Sequence, residues 1–88
     1  MADEWRITHK RMYNYALGKR IWYYVLERKK RFLFWDYWKY IDREDYYYYE
    51  NSAYTDSFKK LALHDLYKKQ SEILEDEARK FMVVKEFK

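Results

Sequence analysis

Aromatic crowding constrains this chain most. Between Ile21 and Tyr49 the sequence runs IWYYVLERKKRFLFWDYWKYIDREDYYYY, with rings on both sides of one charged run, Glu27-Arg28-Lys29-Lys30-Arg31. Four Trp, five Phe and twelve Tyr occur in 88 residues. A chain of this length forms one domain and hides only roughly 60% of its unfolded surface, while each ring that is buried takes about 150–250 Å². The interior cannot hold them all, so part of the set must lie at the surface. Tyr tolerates that position, and a cluster of surface aromatics marks a contact with another molecule.

The absence of Cys removes disulfides, thiolate metal sites and Cys nucleophiles. One Gly cannot build GxGxxG, GxxxxGK[ST] or GxSxG, which excludes backbone-cradled phosphate sites and the nucleophile elbow. His9 and His64 lack the convergent ligands that a metal needs, and no cofactor is implied. No apolar run approaches the roughly 20 residues of a membrane span, and MADEWRITHKR lacks the apolar core of a secretory signal. The expectation is a chain with no membrane partner, compatible with the cytoplasm or an equivalent reducing compartment.

Charge is unevenly spread. Residues 1–44 carry 11 Lys/Arg against 6 Asp/Glu, and residues 45–88 carry 8 against 9. The first half is a candidate surface for acidic partners.

With no Pro, Gly18 alone and few Asn, turn signals are scarce, and the pattern is read as helical. A 100° plot of residues 3–26 gathers Trp5, His9, Met12, Tyr13, Ala16, Leu17, Ile21, Tyr23 and Tyr24 on one arc, with Asp3 as cap. Gly18 costs about 1 kcal/mol in a helix interior and is assigned to a close helix approach. Leu33, Phe34, Tyr37, Trp38, Ile41 and Tyr48 form a second arc, and a third helix is expected from Asp56, after the turn-rich Asn51–Ser57. The expected fold is an all-α, small three-helix bundle over 3–28, 32–50 and 56–84, in one domain spanning 1–88. The alternatives are a long-helix αα-hairpin and an α+β fold in which 21–26 pairs with 32–38 around 27–31. Segment 82–87 is left open between helix, strand and frayed end.

Arg11, Arg28, Lys39 and the pair Arg43-Glu44 follow the order of basic residues in the all-helical chorismate mutases, with Leu17 and Ile21 at core-like positions and Ile73-Leu74-Glu75-Asp76 similar to part of the third helix. The chain resembles that family there, and the resemblance implies a helical enzyme using Arg11, Arg28, Lys39 and Arg43. It departs where Gly18 replaces an Asp and where the segment between Lys39 and Arg43 is far shorter.

The reading preferred from the residues themselves is a non-enzymatic helical interaction protein, a de novo designed binder or scaffold or a small phage-type inhibitor. It contacts a protein partner or itself through an aromatic and basic face: Trp22, Arg28, Arg31, Phe34, Trp35, Trp38, Tyr46 and Tyr49. The alternative ligand is single-stranded nucleic acid, with cations on phosphates and rings on bases across 22–39.

Overall fold

The computed structural model describes residues 4–86, and side chains through Lys80. It is not a helical bundle. Three antiparallel strands, β1 (Trp5–Asn14), β2 (Lys19–Phe32) and β3 (Trp35–Asp45), form one sheet in the order β1-β2-β3. A short 3₁₀ turn (Tyr47–Tyr49) leads to one long helix, α1 (Thr55–Glu86). Both all-helical expectations fail because β2, which reads as a helix arc, is the central strand. Its run Ile21–Leu26 is apolar at every position, and a strand covered on both faces shows no alternation to distinguish it from a helix.

The pairing separates the side chains into two sets. Trp5, Ile7, His9 and Arg11 stand opposite Arg28, Leu26, Tyr24 and Trp22, on the face that meets α1. Arg6, Thr8, Lys10 and Met12 stand opposite Glu27, Val25, Tyr23 and Ile21 on the other face. Leu26, Tyr46, Ala62 and Leu66 are buried. Along α1 the covered positions are Thr55, Phe58, Lys59, Ala62, Leu63, Leu66, Gln70 and Ile73, a stripe that narrows to about one residue per turn beyond Leu66. Tyr67 and Leu74 on the same helix are exposed. Leu26, Trp5, Ile7, Tyr67 and Gln70 border a cleft of about 200 Å³ between sheet and helix. On the far face Ile21, Tyr23 and Val25 form a second small core, covered by Met12, Leu17 and Tyr47. There the Arg43 guanidinium lies 4.5 Å from the Tyr23 ring, and Asn14 Nδ2 donates to Tyr23 Oη at 2.7 Å.

The turns explain the missing turn signals. Gly18 closes the β1–β2 connection with φ +69°, donating to the Asn14 carbonyl at 2.8 Å, while Leu17 N–H donates to Asn14 Oδ1 at 2.9 Å. A Cβ on Gly18 would meet nothing within 4 Å, so backbone conformation and not close packing demands this glycine. The β2–β3 hairpin turns at Leu33-Phe34, not at 27–31, with Phe32 opposite Trp35 and Leu33 at φ +55°. Residues 27–31 lie within β2. The third helix begins one residue before Asp56, and residues 82–86 continue it. Asp3 and Phe87 lie outside the described residues.

Candidate functional site

Trp5 of β1 pairs with Arg28, so from Lys29 onward β2 pairs with β3. At the arm's start Lys29 N–H donates to the Glu4 carbonyl at 2.8 Å. Residues 29–38 thus form a two-stranded arm projecting from a molecule whose longest extent is 55 Å. A two-stranded ribbon is marginal by itself in water. Here its base is fastened on both faces.

On the open face Glu27 is buried with its carboxylate fully occupied. Arg6 Nε and Thr8 Oγ1 each donate to Oε1 at 3.0 Å, and Lys10 Nζ donates to Oε2 at 3.0 Å. Burial alone would raise the Glu27 pKa. The hydrogen bonds from Lys10, Arg6 and Thr8 and the Lys10 charge outweigh it and hold the carboxyl below its ordinary value. The Arg6 guanidinium also lies 4.0 Å from the Trp38 ring centroid. On the helix-facing side Arg28 is buried, stacked 4.7 Å from the Trp5 ring, and donates through both terminal nitrogens to the two oxygens of Glu77 on α1. This forked pair ties the arm's base to the helix. Between Leu26 and Glu27 the register slips, leaving Ile41 of β3 as an extra residue. Such a bulge bends and twists the ribbon where the arm begins.

The tip is apolar. Phe32, Leu33, Phe34 and Trp35 are 56%, 66%, 88% and 57% exposed. Phe32 and Trp35 meet edge to face at 5.9 Å. Lys30, Phe32, Trp35, Tyr37 and Lys39 share one face of the arm, and Lys29 and Arg31 stand on the other with Asp36, 3.7 Å from Lys29 Nζ.

The expected contact residues divide accordingly. Phe34, Trp35 and Arg31 come together on the arm, all exposed. Trp38 lies at its base, half covered beneath Arg6. Arg28 is a buried anchor, not a surface cation. Trp22 is exposed near the other end of β2, 4.7 Å from the His9 ring. Tyr46 is buried, with its hydroxyl 3.1 Å from His9 Nε2. Burial, then the neighbouring Tyr24 and Glu50, push its phenol above the ordinary tyrosine value. Tyr49 stacks on Phe58 and so helps seat α1. Phe32 and Leu33 were missed. Leu33 was placed in a helix core, and nothing in its sequence surroundings marks a turn.

Of the basic set of the chorismate-mutase resemblance only Arg28 and Lys39 stand opposite each other, while Arg11 pairs six residues away along β2 and Arg43 lies on the other face. All four residues lie on strands: Arg11, Arg28 and Lys39 have their register positions on the helix-facing side, and Arg43 lies on the other, against Tyr23. Among the described residues no three His, Asp or Glu side chains are grouped to hold a metal ion, and no helix is long and apolar enough to cross a membrane. No family model matches the chain, and no curated protein or solved structure matches it either.

Proposed function

We propose that this chain is a non-enzymatic interaction protein that presents the β2–β3 arm to a protein partner. The observation that carries the reading is the tip: four consecutive apolar side chains, each more than half exposed, on a ribbon whose base is fastened by Glu27 and Arg28. Water-exposed rings are the anchors that dominate protein interfaces, and fastening the ribbon at its base limits part of the entropy lost on binding. The backbone gives the same sign. Leu33 takes a left-handed conformation that costs roughly 1–2 kcal/mol outside glycine, yet its side chain gains no burial in return. A local rule broken without gain to the fold is characteristic of a functional position.

A photocrosslinking phenylalanine analogue placed at Phe34, with the same group at exposed Lys68 as control, tests the reading. Protein adducts from position 34 and not from 68 are the expected result. Equal labelling, or none, rules it out.

A second reading rests on one specific arrangement: Phe32, Trp35 and Tyr37 lie on one face with Lys30 and Lys39, rings beside cations as a single-stranded nucleic acid would require. Fluorescence anisotropy with labelled oligonucleotides should then show binding that weakens steeply with salt. Salt-insensitive or absent binding eliminates it.

A further inference from the structure

Taking the protein-contact reading above as premise, we propose that the partner is a second copy of this chain, which receives the arm tip, head to tail, on the tyrosine-rich segment 46–56 of its opposite end. The two ends are complementary in charge and alike in exposed rings. Residues 28–40 hold Lys29, Lys30, Arg31 and Lys39, besides Arg28 tied to Glu77, against Asp36 alone; residues 41–57 hold five acids against Arg43, with Lys19 and Lys59 of neighbouring elements 4.5 and 5.2 Å from the Tyr47 and Tyr46 rings. The acidic end is dense in space as well as in sequence. Burial, then the charges of Asp65 on α1 and of Asp42 and Asp45, push Glu44 above the ordinary carboxylate value. The same end exposes Tyr48, Tyr49, Tyr54 and, nearly two turns into α1, Leu61. It therefore offers apolar surface for Phe34 and Trp35 beside carboxylates for Lys30 and Arg31.

The geometry argues against the two simpler arrangements. Phe32 and Trp35 close the arm, and Asp45 stands opposite Tyr23, nine residues back along β2. At about 3.3 Å per residue this is roughly 30 Å of continuous strand, so a tip cannot reach the acidic end of its own chain. Tip-to-tip pairing would bring the net-positive end of the arm, where Asp36 offsets only part of the charge of Lys29, Lys30 and Arg31, against its own copy, a like-charge juxtaposition that disfavours association. A contact between two different patches is heterologous and builds open chains or a ring.

Sedimentation velocity on the full chain, over a range of concentration and salt, tests this. A tip variant, Leu33→Gly with Phe34→Ser, keeps a residue pair that suits the turn. A tail variant, Tyr48→Ser with Tyr54→Ser and Glu50→Lys, alters exposed or half-buried positions, and circular dichroism confirms that both fold. The expected result has three parts. The unmodified chain sediments faster as its concentration rises, less so in high salt, and each variant alone associates at least about tenfold more weakly. An equimolar mixture of the two variants forms a heterodimer that grows no further, because one intact tip meets one intact tail. A tail variant that still dimerises through its tip overturns the head-to-tail contact, as does a mixture that stays monomeric. A monomeric unmodified chain overturns the second copy as partner. If position 34 then still crosslinks to other proteins, the interaction reading stands without self-association. If the monomer instead binds anionic vesicles through its tip and crosslinks to no protein, both readings fall.

Discussion

Glu27 and Glu44 are two covered carboxylates of the same sheet pushed in opposite directions. Glu27 keeps its charge in a buried site because three donors converge on it, so its pKa in the folded chain lies below that in the unfolded chain. Its contribution to stability is complete above the unfolded value of about 4.3 and is lost as pH falls through the lower folded value. Burial, then the charges of Asp65, Asp42 and Asp45, raise the folded value of Glu44, so its charged form opposes folding at neutral pH. Glu27→Gln should cost about 1–3 kcal/mol at pH 7, since donors lose a charged acceptor. Glu44→Gln should stabilise by roughly 0.2–0.5 kcal/mol, as expected for relief of like-charge pairs. Urea titrations at pH 7 and pH 3.5 check both. The Glu44 gain should shrink in acid, and a destabilising Glu44→Gln at pH 7 would show that its neighbours do not act through charge.

At the level of elements, the two hairpin turns treat the left-handed region differently. Gly18 occupies it at no steric cost, so Gly18→Ala should destabilise by about 1–2 kcal/mol although open space surrounds it. Leu33 occupies it with a side chain, so Leu33→Gly should stabilise by roughly 0.5–1 kcal/mol while removing part of the tip. Thermal unfolding of the two variants checks the pair, and a destabilising Leu33→Gly would mean that Leu33 packs against the arm in solution. These turns also show how far the fold was legible. Gly18 was visible as the sole glycine, but a helical frame turned a turn residue into a packing residue. The Leu33-Phe34 turn left no trace, because a strained apolar pair takes the place of the usual Asn, Asp or Gly. The β-branched and aromatic content of Ile21–Leu26 did point to a strand, and both helices read across residues 5–45 failed there. In α1, charged residues opposite a narrow apolar stripe preserve a 3.6 period, so that helix was readable from sequence to within one residue of its start. Of the proposed contact surface, the exposure of Phe34, Trp35 and Arg31 was legible as surplus rings beside cations. The structural roles of Arg28 and Tyr46 were not, since each depends on a partner distant in sequence, Glu77 and His9.

The whole molecule is built outward from one strand. Among the described residues β2 is the only strand paired on both edges, and it supplies Ile21, Tyr23, Val25 and Leu26 to two shallow cores, one on each face. The arm beyond Lys29 has one partner strand, and α1 beyond Gln70 is held through half-covered Ile73 and the Glu77 pair with Arg28. Opening free energy follows covered apolar contacts, so the ends should open without unfolding the centre. Native-state hydrogen exchange should therefore find the slowest amides in Tyr23–Arg28. Faster exchange is expected in 30–37 and in the last two turns before Lys80. Substituting Arg28→Met should accelerate both of these regions together, because the arm and the helix lose the side chain that joins them, while exchange at Ile21 and Tyr23 changes less. Uniform acceleration across the sheet would mean that Arg28 supports the central core and not the junction. The arm would then be part of the body, and its apolar tip would have no independent anchor from which to grip a partner.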